Sequence, residues 1–365
     1  MQKLTLVALS LLSIIEMSAQ DMAELGTNPI ITSATKVAEE TEVVEEPSFT
    51  ITGFVDAYYA YFTNEEAFPT SFTEAHNSFT LGMANVVFAK EGKVGFKADL
   101  AVGPRAEVAN GYNGSSLSAI KQLYVTYTPV ENLTLTLGNF GTHVGYEVID
   151  APENINYSTS YMFSNGPFFH TGLKADYAIS ENFGVMIGVL NDTDTKMDVV
   201  PGKHFAAQLS YSDDKLGAYL NFISGKAEES EVAGDIMENQ IDLTATFQAT
   251  EAIGLGLNTT VKTLNPDEGD NTSWFGAAIY ANYSVSESLL FGFRGEYIGD
   301  DDGLISGTTD NSIVDLTLSA NIKVEKLTII PEFRIDIASE DVFFDSDGEA
   351  TGTSAAFIMA AMYAF

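Results

Sequence analysis

Cysteine is absent from all 365 residues of the sequence. The chain therefore has no disulfide, no thiolate ligand for a metal ion and no cysteine to carry a lipid anchor. Long apolar runs are missing as well. The longest lies near the start of the chain and has roughly a dozen residues, whereas a membrane-spanning helix needs about 20. These absences exclude helical membrane spans and a fold stapled by disulfides.

Basic residues are scarce, since 17 lysines and arginines stand against 51 aspartates and glutamates, for a formal net charge of −34. So acidic a chain argues strongly against a nucleic-acid partner, whose phosphates need lysine and arginine. Most of the excess lies in a few segments. Residues 21–48 carry a net charge of −6, and eight long connections, defined below, carry −22 together.

Histidine occurs four times, as His76, His143, His170 and His204, without the spacing or flanking glutamate of a zinc site. We therefore predict no metal site and expect these side chains at polar loop or rim positions. A Gly-x-Ser-x-Gly elbow, a Walker loop and a dinucleotide fingerprint are also lacking. The sequence predicts no catalytic residue, no cofactor and no enzyme activity, although barrel enzymes with Ser, His and Asp at the rim need no local motif.

The first 19 residues have the pattern of a secretory signal peptide. Lys3, an apolar stretch over 4–15 and Ser18-Ala19 follow one another, and cleavage is expected after Ala19. Residues 20–48 are acidic with little apolar periodicity, which predicts a disordered periplasmic leader. The folded part is expected over 49–365.

From Phe49 onward, sixteen segments alternate between apolar and polar residues, and each is predicted to be a β-strand. They are 49–63, 78–90, 93–103, 117–129, 133–141, 168–179, 183–192, 203–213, 215–225, 237–250, 253–263, 273–286, 288–299, 312–324, 326–337 and 353–365. Short turns alternate with long connections along the whole series. The long ones are 64–77, 104–116, 142–167, 193–202, 226–236, 264–272, 300–311 and 338–352.

This rhythm predicts an all-β fold, a transmembrane antiparallel up-and-down β-barrel with short periplasmic turns and long extracellular loops. A soluble β-sandwich has no reason to alternate its loop lengths so regularly. About sixteen strands are predicted. Because strand ends inferred from one sequence shift by roughly 2–4 residues, fourteen or eighteen strands also fit.

Within each predicted strand one face is apolar and aromatic, and the other is polar or small. The polar face should line the lumen, because a charge facing lipid at the bilayer midplane costs about 2–4 kcal/mol. These residues either line a water-filled, weakly selective passage or pair across the lumen and brace it, and both roles can coexist. The charged residues on this face are Asp56, Lys97, Asp99, Lys174, Asp176, Asp242, Lys262, Arg294, Glu296, Asp315, Lys323, Glu332, Arg334 and Asp336.

The end of the chain alternates in the same way and finishes on an aromatic residue. Phe357, Met359, Ala361, Tyr363 and Phe365 share one face of this last strand. Such an ending is typical of outer-membrane barrels, where it serves as an insertion signal and lies in an interfacial aromatic girdle. We expect Tyr363 and Phe365 to act in this way.

The longest connection, 142–167, is expected either to fold into the lumen and narrow it or to pack outward on neighbouring loops and lipopolysaccharide. A turn or two of helix is expected here and nowhere else after the signal peptide. If this connection folds inward, the predicted constriction residues are Tyr146, Glu147, Asp150, Glu153, Tyr157, Tyr161 and Phe163.

The acidic loop tips offer no hand-type calcium site, since Ala350 and Ala356 stand where the loop starting at Asp345 needs Gly and Glu.

Four segments carry a family resemblance: Gly53-Phe54-Val55-Asp56-Ala57-Tyr58-Tyr59-Ala60-Tyr61, Gly138-Asn139-Phe140-Gly141-Thr142-His143-Val144-Gly145-Tyr146-Glu147, Asn156-Tyr157-Ser158-Thr159-Ser160 and Thr171-Gly172-Leu173-Lys174. They resemble the OmpL-like β-barrel porin-2 family, which is common in the Bacteroidota. The similarity runs from about Gly53 to Phe365 and is most distinctive before Asn191. It implies an outer-membrane porin of a Gram-negative cell and supplies no catalytic motif.

We therefore predict a porin that lets small hydrophilic solutes and ions diffuse passively. Acidic loops should favour cations at low salt, an effect screened over about 8 Å at physiological salt. The first alternative is a plugged structural or receptor barrel, and the second is a barrel enzyme. Outer-membrane lipid, lipopolysaccharide and, during insertion, the barrel-assembly machinery are the expected partners, and a monomer and a homotrimer fit equally well.

Overall fold

The computed structural model of the protein describes residues 49–66, 68–111, 116–197, 202–230 and 234–365. The predicted signal peptide and leader lie outside these residues. The strands are β1 Phe49–Phe62, β2 Ser78–Lys90, β3 Val94–Val102, β4 Ile120–Val130, β5 Leu133–Gly141, β6 Phe169–Ala178, β7 Phe183–Leu190, β8 His204–Ser212, β9 Leu216–Ser230, β10 Gly234–Thr250, β11 Ile253–Pro266, β12 Thr272–Ser286, β13 Leu289–Asp300, β14 Asn311–Val324, β15 Leu327–Ala338, β16 Phe343–Phe344, β17 Ala350–Thr351 and β18 Thr353–Ala364. Two short helices, α1 Pro104–Asn110 and α2 Tyr161–Ser164, lie in connections between strands. Among the described residues no helix has the length and apolar character needed to cross a membrane.

Sixteen strands, β1–β15 and β18, form one closed barrel in which every pairing is antiparallel. The first and last strands close it, with Phe54 opposite Ala364 and Phe62 opposite Ala356. At the same seam Gly53 and Phe365 exchange two main-chain hydrogen bonds of 3.1 and 2.9 Å. A closed barrel has no free strand edge, so its ladder groups stay paired inside lipid. The predicted sixteen-stranded antiparallel barrel is confirmed.

The alternation of side chains follows the barrel wall. On β14, Leu316 and Leu318 point outward and are 41% and 56% exposed, whereas Asp315 of the same strand is 0% exposed on the inner face. On β18, Phe357 and Tyr363 face outward, as the shared face of the last residues predicts. The outer surface is therefore apolar and suited to lipid, and the inner surface carries the charge.

Several connections differ from the prediction. The expected loop at 226–236 is mostly strand, because β9 continues to Ser230 and β10 begins at Gly234. β11 similarly runs to Pro266, into the expected loop at 264–272. These strands of 14 to 17 residues exceed the roughly 9–11 needed to cross a membrane. Beyond the lipid neither face has to be apolar, so the alternation that signals a strand is lost there.

Helix also occurs where none is predicted. The expected helical turns within 142–167 are present as a 3-10 turn at Ala151–Glu153 and as α2. Helix α1, however, lies in the connection between β3 and β4, where Pro104 occupies its first turn. A Pro at that position has a backbone already set for helix and lacks only a donor that would be unpaired anyway. A helix of 7 residues is too short to show a clear period of 3.6 in the sequence.

The hydrophobic core lies inside the barrel. We call the described residues of 63–77 loop 1, those of 103–119 loop 2 and residues 142–168 loop 3. Phe72 of loop 1, Ala106 of loop 2 and Phe163 of loop 3 are buried in one cluster with Ile358 of β18. Three connections thus fold into the lumen and cover the inner wall near β1 and β18.

Candidate functional site

Loop 3 starts at β5 and ends at β6, yet it is fixed to strands on the opposite side of the barrel. On the way, the Gly145 amide donates to Asp242 on β10 at 3.0 Å. Tyr146 stacks on Tyr280 of β12 with ring centroids 4.1 Å apart. The following residues then reach β13, β14 and β15. The loop therefore crosses the lumen and divides it.

Two wall carboxylates hold the main chain of loop 3. Glu332 on β15 accepts hydrogen bonds from the Tyr157 and Ser158 amides at 2.6 and 2.9 Å. Glu296 on β13 accepts from the Tyr161 and Met162 amides, both at 2.8 Å. Hydrogen bonds to an ionised acceptor are shorter and stronger than neutral ones. Each carboxylate therefore clamps two consecutive residues of the loop.

Tyrosine hydroxyls add two further bonds to wall carboxylates. Tyr157 donates to Asp56 on β1 at 2.5 Å, and Tyr161 donates to Asp336 on β15 at 2.6 Å. Both tyrosines are 0% exposed. Burial and the adjacent carboxylates raise the pKa of both hydroxyls well above the ordinary value, so each remains a donor.

Two fully buried arginines complete the attachment. Arg294 on β13 pairs with Asp315 at 2.7 Å and with Glu147 of loop 3 at 2.8 Å. Arg334 on β15 holds both oxygens of Asp336 at 2.8 Å. The two guanidinium groups also donate to the Ser158 and Thr159 carbonyls of loop 3, at 2.6 and 2.8 Å. A buried charge is tolerated when it is paired and hydrogen-bonded in this way.

The remaining predicted lumen charges lie away from this attachment. Asp99 pairs with Lys121 on β4 at 2.7 Å, Lys174 pairs with Asp176 on β6 at 3.1 Å, and Lys262 pairs with Glu238 on β10 at 3.1 Å. Lys97 and Lys323 make no hydrogen bond or ion pair with another described residue. Asp242 accepts from Asn221 and Asn258 as well as from loop 3. Much of the inner charge is therefore engaged in pairs.

The seven predicted constriction residues fall into two groups. Tyr146, Glu147, Tyr157, Tyr161 and Phe163 are turned toward the wall or the core and attach the loop. Asp150 and Glu153 remain in contact with the lumen, Asp150 being 19% exposed and Glu153 exposed. Of the seven, only these two present charge to the lumen.

Asp150 and Glu153 face two lysines of the near wall. Asp150 forms an ion pair with Lys121. Lys97 on β3 is near enough to Glu153 to act on its charge. Enclosure within the barrel, and then the Asp150 carboxylate, raise the pKa of Glu153 to about 8 although the side chain keeps contact with solvent. We call Lys97, Lys121, Asp150 and Glu153 the charged rim.

The histidines are less scattered than expected. His76 lies in loop 1, where it accepts from the Phe62 amide at 3.2 Å. The rings of His143 and His170 lie 5.3 Å apart, and His204, buried like His170, is near enough to act on that residue. Three histidines thus gather inside the wall, because β5, β6 and β8 bring distant parts of the sequence together. Within the described residues, no group of His, Asp and Glu has the arrangement of a metal site.

Lys121, Glu238 and Arg105 are functional candidates outside the predicted set, although alternation over 237–250 places Glu238 on the same face as Asp242. Lys121 and Glu238 are ion-pair partners of predicted residues. The register shift between Asp99 and Leu100 on β3 displaces the inward residues of β4, so simple alternation fails at Lys121. Arg105 belongs to a loop, where alternation gives no information.

Solved structures share this architecture at low sequence identity. The outer membrane channel DcaP of Acinetobacter baumannii matches with a TM-score of 0.63 and 13% identity, over 90% of this chain and 100% of that chain. An anion-selective porin from Comamonas acidovorans matches with a TM-score of 0.61 and 12% identity, over 88% and 100%. OmpT, an outer membrane protein of Vibrio cholerae, matches with a TM-score of 0.59 and 9% identity, over 89% and 100%. No curated protein matches the sequence. These likenesses concern the fold.

A closed sixteen-stranded barrel with an apolar outer face and a loop across its lumen is the architecture of an outer-membrane porin. The family comparison agrees, because the model described as "Putative beta-barrel porin-2, OmpL-like" matches residues 48–365. The chain belongs to this family. Its general function is that of a porin in the outer membrane.

Proposed function

We propose that this porin is a narrow channel for small hydrophilic solutes and that it favours cations when Glu153 of the charged rim is ionised. The supporting observation is that Glu153 projects an exposed carboxylate into the lumen, whereas Glu147 of the same loop is engaged by Arg294. Walls of low dielectric constant focus the field of a charge inside a cleft. A carboxylate inside the lumen therefore attracts cations more strongly than one on the outer surface.

The long connections act in the same direction. Their predicted segments carry a net charge of −22, and long loops of such barrels face the outside of the cell. This charge raises the local cation concentration at the mouth and is screened over about 8 Å at physiological salt. The mouth should therefore contribute mainly at low ionic strength.

The test is the reversal potential of single channels in a planar bilayer under a salt gradient, measured from pH 6 to pH 9. Because the pKa of Glu153 is raised to about 8, its charge appears between about pH 7 and pH 9, and the cation preference should increase over that range. Glu153→Gln should remove the increase and leave the part due to the loops. Glu181→Gln, an exposed change in the short turn between β6 and β7, is the matched control. Anion preference at low salt, or an increase that persists in Glu153→Gln, would contradict the proposal.

A plugged barrel is the second candidate, and the packing of loops 1, 2 and 3 into the lumen favours it. Many inner-face side chains, such as Ala360 and Arg334, are 0% exposed. The same bilayer measurement separates the two functions. A protein that inserts and shows the heat-modifiable migration of a folded barrel, yet passes no current, is a plugged structural or receptor barrel.

We also infer that the chain is not an enzyme. His76 and His143 hydrogen-bond main-chain groups and His170 bonds Thr142, rather than a serine as in a hydrolytic triad. Hydrolysis of phospholipid or peptide substrates by the purified protein would contradict this inference.

Export and assembly complete the proposal. Residues 1–19 act as a cleaved signal peptide, and 20–48 remain as an acidic periplasmic leader. Tyr363 and Phe365 mark the last strand for the barrel-assembly machinery, and the apolar outer face contacts lipid and lipopolysaccharide. Mass spectrometry of the mature protein tests the cleavage, and native mass measurement in detergent distinguishes a monomer from a homotrimer.

A further inference from the structure

Arg105 of helix α1 is a buried cation without a carboxylate partner among the described residues. It is 1% exposed, and within the described part of the chain it forms no ion pair. One guanidinium nitrogen, Nη1, donates to the Ile149 carbonyl of loop 3 at 3.2 Å. The ring centroids of Phe72 and Tyr157 lie 4.5 and 5.0 Å from its central carbon. The group is therefore fixed in position by loops 1 and 3.

The unused donors of Arg105 are Nε and Nη2, which are buried and have no hydrogen-bond partner among the residues that the structure describes. These two nitrogens form one edge of the guanidinium plane, and that edge matches the two oxygens of a carboxylate. Arg294 and Arg334 show what the edge does elsewhere in this chain. In each of them, Nε and Nη2 donate to an aspartate, Asp315 or Asp336. At Arg105 no aspartate or glutamate of the described residues occupies the corresponding position.

Loop 1 lies against the guanidinium group through the Phe72 ring and is itself strained. Phe72 has a φ of 80°, a left-handed conformation that a bulky side chain rarely adopts. The neighbouring Thr73 hydroxyl is buried and also lacks a hydrogen-bond partner. The Ser71 amide donates to the Ser164 hydroxyl, and the Thr159 hydroxyl donates to the Ser71 carbonyl, both at 2.9 Å. These two hydrogen bonds hold loop 1 on loop 3. Backbone strain and unpaired donors in one place are typical of a segment that changes conformation in function.

We propose that the Nε–Nη2 edge of Arg105 is a binding site for the carboxylate of a small organic acid and that loop 1 is the lid of this site. No solvent reaches either nitrogen while loop 1 is seated. The carboxylate can therefore bind only when the lid lifts, and a ligand that binds one of two states increases the population of that state. The bound acid holds loop 1 open at the extracellular mouth. This site goes beyond the cation preference proposed above, because it responds to one kind of solute rather than to charge in general.

The absence of cysteine provides a direct assay. Thr73→Cys introduces a single thiol at a buried position of loop 1 itself. The rate at which this thiol reacts with a membrane-impermeant reagent measures how often loop 1 lifts. Succinate and acetate are the probes, inorganic phosphate tests a different oxyanion, and chloride at equal ionic strength is the control. Ser346→Cys, in an exposed outer loop, corrects for effects of the salts on the reagent. The migration of the heat-modifiable barrel confirms that each variant is folded.

At a ligand concentration roughly ten times its dissociation constant, the open population should rise about tenfold, and the labelling rate of Thr73→Cys should rise with it. Arg105→Gln should abolish the response, and Arg105→Lys should weaken it, because an ammonium lacks the planar pair of donors. Labelling that is equal in succinate and chloride would overturn the proposal, as would a response that survives in Arg105→Gln. A response to phosphate but not to either acid would overturn the assignment to carboxylates.

A second measurement uses the unmodified chain, so it does not depend on folding of a variant. Conductance with succinate on the extracellular side should increase in steps that chloride does not produce. If the cation proposal is wrong, only the reversal potential will differ from the expected result. If the carboxylate site is wrong, the conductance steps with succinate and the labelling rates will differ instead. The two proposals are therefore tested independently.

Discussion

Glu296→Gln and Glu332→Gln should release loop 3 from the wall. Each glutamate accepts two main-chain amides of the loop, at distances between 2.6 and 2.9 Å. A glutamine keeps one carbonyl oxygen and turns an NH₂ group toward the second amide, so one bond of each pair is lost. A hydrogen bond to a charged group contributes about 1.5–3 kcal/mol. The double variant therefore favours release by about 3–6 kcal/mol if the two losses add.

Every 1.4 kcal/mol corresponds to a factor of about ten in an equilibrium. Each single variant should raise the ratio of released to attached loop by roughly 10- to 100-fold, and the double variant by up to roughly 10⁴-fold. Because both glutamates hold one short segment, their effects are coupled and the double value is an upper limit. Single-channel recordings should show larger steps and more open-state noise as loop 3 leaves the lumen.

Asp176→Asn is the matched control for these variants. Asp176 is also a buried carboxylate on the inner face, but it pairs with Lys174 on its own strand and makes no hydrogen bond to loop 3. Its replacement should leave step size and noise unchanged. A folded Glu296→Gln, Glu332→Gln double variant with the step size and noise of the parent would refute the reasoning that these bonds hold the loop in the lumen.

Three further outcomes are expected. Tyr161→Phe removes the 2.6 Å bond to Asp336 and should lower the free energy of unfolding by about 1.5–3 kcal/mol in urea titrations in detergent, whereas Tyr363→Phe, with an exposed side chain, should not. Deleting Phe365 removes two main-chain bonds to Gly53, so the fraction of folded barrel after refolding into vesicles should fall, while Phe365→Tyr should retain it. Burial lowers the pKa of His143 in loop 3 to about 4, so the unfolded chain binds a proton below about pH 6.5 that the folded chain does not. The free energy of unfolding should therefore fall by up to about 3 kcal/mol between pH 7 and pH 4. His143→Gln should reduce this dependence of the free energy of unfolding on pH in urea titrations. The same dependence in the variant as in the parent would contradict the lowered pKa of His143.

The barrel is predictable from the sequence because lipid imposes a pattern on every strand. An outward Leu318 beside an inward Thr317 repeats the rule that holds throughout the wall, and closure leaves no choice about the neighbours. The rule applies only where lipid is present. The rule fails where β9 ends and β10 begins. Lys226 and Asp235 form an ion pair between these two strands, in a segment that the sequence predicts to be a loop.

The attachment of loop 3 is not predictable in the same way. Its bonds join residues far apart in the sequence, such as Tyr161 and Asp336, and no local pattern signals which carboxylate meets which amide. The sequence predicts that Tyr161 lies in a long connection rich in aromatic residues and that Asp336 lies on the inner face of a strand. What it lacks is the register between the loop and the wall, which depends on where the loop crosses the lumen. The gathering of His143, His170 and His204 is hidden for the same reason.

The two roles considered for the inner charges, lining a passage and bracing the barrel, are separated in space rather than exclusive. Glu296 and Glu332 accept hydrogen bonds from main-chain amides of loop 3 and form no direct ion pair with a described residue, while Arg294 and Arg334 pair with Asp315 and Asp336. Bracing is therefore possible with more carboxylates than cations in the wall. The residues of the charged rim line the passage, and Glu153 among them remains in contact with solvent. Because the braces set where loop 3 lies, they also set how close Glu153 comes to Lys97, and the width and the charge of the passage are determined by the same contacts.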